Sequence, residues 1–491
     1  MNIKVVSQYA STLPPDDDHP YRTGAWRPNR VEYDATDLDV IGELPKDLDG
    51  IYLRNTENPL HPALERYHPF DGDGMVHAVR FAQGKAEYRN RFVKTDGFIA
   101  EQEAGRTLWA GILERPEHSL RDGWGARTRM KDASSTDVVV HRGMALTTFY
   151  QCGDAYQLDP LTLEDRGKAT WNGKFPTDFG ISAHPKVDEL TGELLFFNYS
   201  KQAPYMHYGV VDRSGQVVHK VPIPLPGPRL PHDMAFTENY AILNDCPVFW
   251  DPALLAKNVH RARFYRDLPT RFAIIPRRGG PEEIRWFEAS PTYVLHWTNA
   301  YEEGDEIVLD GFHQGCPLPE HRPGDGPWSA LMRGVDLWEL KARAHRWRFN
   351  LRTGKTHEEF LDDQYSEFPT INGRYGGRPH RYTYAVTSEP GWFLFNGLVR
   401  YDRKTGAQQR YSFPKGVYAS ESPMAPRLGA TAEDDGYLVT FVSDLPNDRS
   451  ECQVFDARDI TTGPIARLRL PERICSGTHA CWAPAADLPG H

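Results

Sequence analysis

Four histidines stand in sequence contexts that suit metal ligands. The chain carries 19 histidines, and four of them lie beside a turn residue or at the end of an apolar run: His184 in ISAHPK, His232 in LPHDMAF, His296 in YVLHWTNAYE and His479 in SGTHACWAP. Imidazole nitrogens bind iron, zinc, copper and nickel. The four are 48, 64 and 183 residues apart, with no HxxxH motif. A shared metal site therefore requires a fold that brings distant segments together.

The recurring pattern that could position them is a strand, a polar turn and a second strand, as β-hairpins require. It occurs in YQLDPLTLEDRG (156 onward), YGVVDRSGQVVHKV (208 onward), WRFNLRTGKTHEEF (347 onward), LVRYDRKTGAQQRYSF (398 onward) and CQVFDARDITTGPIARLRL (452 onward). Short β-rich runs precede several of these hairpins: GMALTTFY, ELLFFNYS, GWFLFNGL and GYLVTFVS. Two short strands feeding a hairpin make a four-stranded unit. Several such units indicate an all-β propeller, whose strand ends converge on one axis. Generic hairpins in β-sandwiches are the alternative.

Helical patterns are few, and only 253–266 and 328–345 are predicted as helices, capping one face of the β body. No Pro/Ser-rich linker or low-complexity segment divides the chain. We therefore predict a single domain over residues 1–491.

Composition excludes several classes of function. The 491 residues have a net charge of -10 without a Lys/Arg cluster, which argues against nucleic acid as a partner. No apolar run reaches the length of a transmembrane segment, and the start shows no targeting pattern. Six cysteines without CxxC spacing fit reduced thiols, so we predict a cytoplasmic protein. The chain has neither the GxSxG motif of hydrolases nor a glycine-rich phosphate loop.

A dozen collinear segments resemble the carotenoid cleavage oxygenase family, also called the retinal pigment epithelial membrane protein and lignostilbene dioxygenase superfamily. They run from about residue 40 to 484: GIYLRNTENP, FDGDGMVHAVRF, AHPK, TGELLFF, HDMAFT, EIRWF, HWTNAYE, EFPTIN, GGRPHRYTY, ESPMAPR, AEDDGYL and THACWAP. The resemblance implies a seven-bladed β-propeller with helical and loop insertions forming a dome over the iron-bearing face. It also implies a non-haem Fe(II) dioxygenase that uses O2 to cleave a C=C bond into two carbonyl products, without an organic cofactor.

The same resemblance implies roles for individual residues. His184, His232, His296 and His479 would bind Fe(2+), with zinc as the alternative metal. Glu367 and Glu421 would accept the outer N–H of two ligating imidazoles. The family's third such glutamate falls near Tyr150 and Gln151, where a hydroxyl or amide oxygen would have to replace it unless the alignment is shifted. Thr136 would lie beside an open coordination position, and Phe70 would line the substrate tunnel.

The substrate is predicted from two motifs. The RNT of YLRNTENP and the ending HACWAP resemble the branch that acts on phenolic alkenes such as lignostilbenes, isoeugenol and other phenylpropenoids. Many members of that branch carry Lys-Glu where this chain has Phe149 and Tyr150, so a phenolic substrate would need another anchor. An apocarotenoid substrate is the alternative. Alkene isomerisation without cleavage and a non-catalytic propeller used as a binding scaffold are the rival functions.

Overall fold

The computed structural model describes residues 1–123, 129–171, 180–320 and 322–490. Within these ranges the strands form seven antiparallel units arranged around one axis, which confirms the seven-bladed β-propeller. Blade one contains Gly477–Pro484, Gly50–Asn58, Asp73–Ala82, Lys85–Phe92, Val31–Thr36 and Asn2–Gln8. Blade two contains Asp137–His141, Met144–Thr148, Tyr156–Leu158 and Asp165–Lys168. Blade three contains Lys186–Asp188, Glu193–Tyr199, Met206–Val211 and Val217–Pro222.

The remaining blades follow in chain order. Blade four contains Ala235–Phe236, Tyr240–Asp245, Thr270–Pro276 and Arg285–Ala289. Blade five contains Trp297–Glu303, Glu306–Gln314, Ala342–Asn350 and the first part of Thr356–Thr370. Blade six contains the last part of that strand, Tyr382–Ser388, Phe395–Asp402 and Gln408–Ser412. Blade seven contains Val417–Tyr418, Met424–Pro426, Gly436–Asp444, Arg449–Asp456, Pro464–Arg469 and Val40–Gly42. Apolar side chains from neighbouring blades pack face to face, as in the cluster that joins Val79 of blade one to Val439 of blade seven.

The two ends of the chain close the ring of blades. Gly477–Pro484 pairs with Gly50–Asn58, so a C-terminal strand becomes the innermost strand of the N-terminal blade. Val40–Gly42 pairs with Pro464–Arg469 as the outer strand of blade seven. Both junctions depend on backbone hydrogen bonds between residues more than 400 positions apart. Closure ties the first blade to the last, and the sheet edges that remain are the short, protected edges of the individual blades.

One long strand, Thr356–Thr370, serves two blades. Up to Tyr365 it pairs with blade five, and from Ser366 onward it pairs with blade six. The register shifts between Glu367 and Thr370, and Phe368 within this irregularity has a φ of 52°. A non-glycine residue in the left-handed region is strained and persists where surrounding contacts hold it. This irregularity turns Glu367 and Phe368 towards the histidines described below.

The five predicted hairpins are all present: they form the two outer strands of blades two, three, five and six, and in blade seven the two strands inside the outermost strand Val40–Gly42. The interpretation of GWFLFNGL as a separate upstream strand is wrong, because this run leads directly into Phe395–Asp402. The strand upstream of that hairpin is Tyr382–Ser388.

Both predicted helices are much shorter than expected. The segment 253–266 forms only the turn Pro252–Leu255, because Asn258 takes a positive φ of 57° and Ala262–Phe264 then pairs as a strand with Val248–Trp250. The segment 328–345 divides into Ser329–Arg333 and Leu337–Leu340 before strand Ala342–Asn350 begins. Apolar residues of these two helices belong to the same apolar cluster as Phe368 and Phe393, so this insertion covers the end of the propeller axis where those rings lie. The sequence pattern missed the helix Asp96–Ala104.

Candidate metal centre

Each of the seven blades places one potential ligand or carboxylate at the same end of its innermost strand. From blade one to blade seven these residues are His479, Asp137, His184, His232, His296, Glu367 and Glu421. Residues that are distant in sequence therefore meet on the axis, as the strand-end argument requires.

The four histidines form one compact cluster. One nitrogen from each ring lies within 4.8 Å of the corresponding nitrogens of the other three. For five of the six pairs of imidazole rings, the ring centroids are 4.4 to 5.3 Å apart. His184 Nε2 lies 3.0 Å from His232 Nε2. His296 Nε2 is buried without a hydrogen-bond partner. Four converging imidazole nitrogens, one of them buried and unpartnered, fit a metal ion at the centre of the cluster.

Three of the imidazoles are held from behind by carboxylates. His296 Nδ1 lies 2.6 Å from Glu367 Oε2, and His479 Nδ1 lies 3.2 Å from Glu421 Oε2. Glu367 Oε2 also accepts the Phe368 N–H at 2.6 Å, and Glu421 Oε2 accepts the Ala480 N–H at 2.6 Å. An acceptor at Nδ1 places the imidazole proton there and leaves Nε2 free to bind a metal.

The third carboxylate is Asp137, which the sequence reasoning missed. Its Oδ2 lies 2.8 Å from His184 Nδ1, whereas Tyr150 and Gln151, where an acceptor was expected, hydrogen-bond to each other. The signal in the sequence that could have identified Asp137 was its position. Asp137 begins an inner strand of alternating apolar residues, and Glu367 and Glu421 hold equivalent places at the starts of theirs.

His232 is held differently from the other three histidines. Within the described ranges no carboxylate hydrogen-bonds to its ring. Its neighbour Asp233 instead accepts the backbone N–H of Trp297 at 2.9 Å and forms a 2.6 Å ion pair with Lys186. Asp233 thus links the strands that follow three of the histidines, and it was not predicted from the sequence.

Burial sets the protonation of this cluster. Burial, followed by the neighbouring imidazoles, holds the pKa of His184 and His232 well below the ordinary value. Burial likewise holds down the pKa of His296. For His479, burial lowers the pKa but the Glu421 carboxylate outweighs it, so the net shift is upward. Burial also raises the pKa of Glu367 to about 8 and that of Asp137 to about 7. Neutral imidazoles are the form that binds metal ions.

Thr136 and Phe70 lie close to the cluster without contacting it directly. Thr136 Oγ1 accepts the Tyr150 backbone N–H at 3.0 Å, and the Thr136 carbonyl accepts the Thr478 hydroxyl at 2.8 Å. Phe70 packs 5.8 Å from Phe393, which packs 5.9 Å from Phe368. The Phe368 ring lies 4.7 Å from His296 and 4.9 Å from His479. A continuous aromatic layer therefore connects Phe70 to the imidazoles.

A cavity of about 720 Å³ extends along the propeller axis from the histidine cluster. Its wall is formed by the innermost strands, from His184, His296 and His479 at one end to Arg142 and Pro489 at the other. Phe70 does not line it. The cavity and the aromatic layer therefore both border the histidine cluster, and Phe70 belongs only to the aromatic layer.

Comparison with known proteins gives consistent matches over nearly the whole chain. The family described as retinal pigment epithelial membrane protein matches residues 26–484. The chain is 31% identical over 482 residues to an isoeugenol monooxygenase of Pseudomonas nitroreducens, covering 95% of this chain and 98% of the relative. It is 32% identical over 522 residues to carotenoid 9,10(9',10')-cleavage dioxygenase 1 of Phaseolus vulgaris, covering 98% and 91% respectively. The crystal structure of a lignostilbene dioxygenase of Pseudomonas brassicacearum superposes with a TM-score of 0.85 at 28% identity, covering 96% of this chain and all of the other, 100%.

The described helices are all too short or too polar to cross a membrane.

Proposed function

Because the chain belongs to the retinal pigment epithelial membrane protein family, we propose that it is a non-haem Fe(II) dioxygenase that cleaves a C=C bond with O2 to give two carbonyl products. The observation that carries this proposal is the cluster of four histidines from four blades, three of them backed by carboxylates. The relatives named as isoeugenol monooxygenase and carotenoid cleavage dioxygenase support the same chemistry.

The residues of the chain fit an iron ion in this cluster. Neutral imidazole suits Fe(II), and a ligand set with no carboxylate leaves the charge of the ion uncompensated. Bound Fe(II) would supply the O2 chemistry, as Lewis acid and electron source. The carboxylates of Asp137, Glu367 and Glu421 orient the imidazoles, and the Phe368 ring places an apolar surface against His296 and His479. Zinc would accept the same ligands, so iron content has to be measured directly.

We propose a phenolic alkene, such as a stilbene, isoeugenol or another phenylpropenoid, as the substrate. The aromatic layer formed by Phe70, Phe368 and Phe393 suits a flat aromatic ring, since aromatic rings pack favourably against one another. The similarity to relatives that act on carotenoids is equally strong in identity, so an apocarotenoid is the second candidate.

Labelled oxygen tests the proposal. The protein is loaded with Fe(II) without air, then given 18O2 together with isoeugenol, resveratrol or an apocarotenal. We expect two carbonyl fragments from at least one alkene, with 18O in the products by mass spectrometry. An isomerised but intact alkene would instead establish isomerisation. A protein that binds less than about a tenth of an equivalent of iron while fully folded would establish the scaffold alternative, since dedicated ligand sets bind their metal stoichiometrically.

The Asp137→Asn variant tests the carboxylate that the structure adds to the site. Asparagine keeps the shape and an acceptor oxygen but removes the charge facing His184 Nδ1 at 2.8 Å. We expect iron affinity or turnover to fall about 10-fold, the lower end for residues that orient metal ligands. Asp165→Asn, on the exposed outer strand of the same blade, is the matched control. Equal activity of the two variants would show that Asp137 does not orient His184.

We further propose that the enzyme works in the cytoplasm. None of the six cysteines forms a disulfide, and all six lie within the described residues, which fits a reducing compartment. The proposed partners are O2 and the alkene.

A further inference from the structure

Two polar side chains next to the metal centre are buried with part of their hydrogen-bonding capacity unused. Tyr150 and Gln151 follow the strand Met144–Thr148 of blade two. The Tyr150 backbone N–H is held by Thr136, the residue before Asp137. The Thr148 hydroxyl donates to the carbonyl of Ala183, the residue before His184. The pair is therefore fixed to two of the segments that carry the histidine cluster.

The two side chains satisfy each other only in part. Gln151 Nε2 donates to the Tyr150 hydroxyl oxygen at 3.1 Å, and Gln151 Oε1 is buried without any partner. Among the described residues, no atom accepts the hydroxyl proton of Tyr150. Turning the amide over exchanges the roles of its oxygen and nitrogen, yet in both orientations the pair offers at least one spare donor and one spare acceptor. Buried polar groups normally have partners, so a spare donor beside a spare acceptor indicates a missing ligand group.

The surroundings of the pair are apolar and lead to the histidines. Phe149 packs 4.7 Å from the Tyr150 ring, and Phe70 packs 6.3 Å from it. Phe70 begins the aromatic layer that ends on His296 and His479. Both residues are buried: Gln151 is 5% exposed and Tyr150 is 9% exposed, so Tyr150 is the more accessible of the two. An incoming group reaches Gln151 Oε1 only if a neighbouring side chain turns aside.

We propose that Tyr150 and Gln151 bind a neutral hydroxyl group at one end of the alkene substrate. This inference rests on the proposed function and specifies its substrate. A hydroxyl donates one hydrogen bond and accepts another, so it matches both spare positions. An ether or aldehyde oxygen can only accept, and a hydrocarbon end can do neither. Within the pair no cationic group would stabilise a phenolate, so the hydroxyl binds in its protonated form.

Saturated analogues test this inference without turnover. Full-length protein loaded with Fe(II) is titrated calorimetrically with 4-hydroxybibenzyl, 4-methoxybibenzyl and bibenzyl, in which the central C=C bond is reduced. We expect 4-hydroxybibenzyl to bind at least about 10-fold more tightly than the other two, because a site built around a hydroxyl penalises ligands that lack it. Gln151→Leu and Tyr150→Phe should each bring this preference below about 3-fold. The iron content of both variants is measured as well, because a general disturbance of the site would change it.

The controls separate binding from structure. Gln157→Leu, on the next strand of the same blade, should keep the full preference. Gln151→Leu removes a buried oxygen that has no partner but also the 3.1 Å hydrogen bond to the Tyr150 hydroxyl, so thermal melting is measured to show that the variant stays folded at the assay temperature. Comparing the cleavage of 4-hydroxystilbene with that of an apocarotenol then shows whether the bound hydroxyl belongs to a phenol or to a polyene alcohol.

Two results would overturn the inference: equal affinity of the wild-type protein for the hydroxyl and methoxy compounds, or a preference that survives in both variants. Cleavage of alkenes with either of these results would leave the proposed function intact. A clear hydroxyl preference without any cleavage would contradict the proposed function alone.

Discussion

His296→Ala is expected to abolish iron binding and alkene cleavage. His296 Nε2 is buried and has no hydrogen-bond partner, and the proposed iron ion would supply that missing partner. Its Nδ1 lies 2.6 Å from Glu367, so the ring is already oriented before the metal arrives. Alanine removes one of four ligands and leaves the others without the geometry to retain the ion. Iron analysis after purification and product analysis with the best alkene measure the two losses.

The comparison for this variant is His357→Ala, which changes an exposed histidine in the outer part of blade five. We expect it to keep stoichiometric iron and full turnover. Circular dichroism and thermal melting of His296→Ala should match those of metal-free wild-type protein, which separates ligand loss from misfolding. Wild-type iron content in folded His296→Ala would show that the metal lies elsewhere. His232→Ala provides an independent second test of the same cluster.

The propeller was predictable because hairpins leave a local signal. A polar turn between two alternating runs fixes both strands of a hairpin within about fifteen residues, and one hairpin in each of five blades was found this way. The inner strands are harder to recognise. Ala235–Phe236 and Lys186–Asp188 are two and three residues long, and their positions follow only from pairing with the next strand. His184 and His232 lie next to these two short strands, so the convergence of the histidines was implied by family resemblance rather than by the pattern itself.

The two failed helix predictions share a physical cause. Both segments have apolar residues at helical spacing, but backbone conformations inside them end the helix early. Lys341 takes a positive φ of 54° at the end of Leu337–Leu340, after which the chain enters a strand of blade five. Asn258 plays the same part in the earlier segment. Pairing with a neighbouring strand outweighs a weak local helical preference.

Asp137 was missed for a different reason. The family pattern places the third carboxylate near Tyr150, on the second strand of blade two, and the sequence there offers none. The structure supplies it from the first strand of the same blade, on His184. Each carboxylate and its histidine come from adjacent blades: blades one and seven, two and three, and five and six. The site therefore depends on how neighbouring blades pack, which no single segment of sequence encodes.

Glu367→Gln is expected to reduce turnover or iron affinity by about 100-fold, the upper end for residues that orient a metal ligand. Glu367 is fully buried, and its Oε2 accepts hydrogen bonds from both His296 Nδ1 and the Phe368 N–H at 2.6 Å. Burial raises the pKa of Glu367 to about 8, so its charged form depends on a bound cation. Glutamine preserves the shape but cannot take up that charge, so the Nδ1 proton is held less strongly and the basicity of Nε2 falls. Steady-state cleavage rates at saturating Fe(II) and iron titration distinguish a slower reaction from weaker binding.

Glu359→Gln is the matched control for that variant, because Glu359 is exposed on the same strand, eight residues nearer its start, in blade five. It should leave both quantities within experimental error of wild type. The expected effect of Glu367→Gln exceeds that of Asp137→Asn because the Glu367 contact to its imidazole is shorter, at 2.6 Å against 2.8 Å, and because the same oxygen holds the Phe368 backbone. Loss of that backbone contact would also disturb the positive φ at Phe368, whose ring lies against two of the ligands. A Glu367→Gln enzyme as active as wild type would mean that the strained strand, and not the carboxylate, keeps His296 in place.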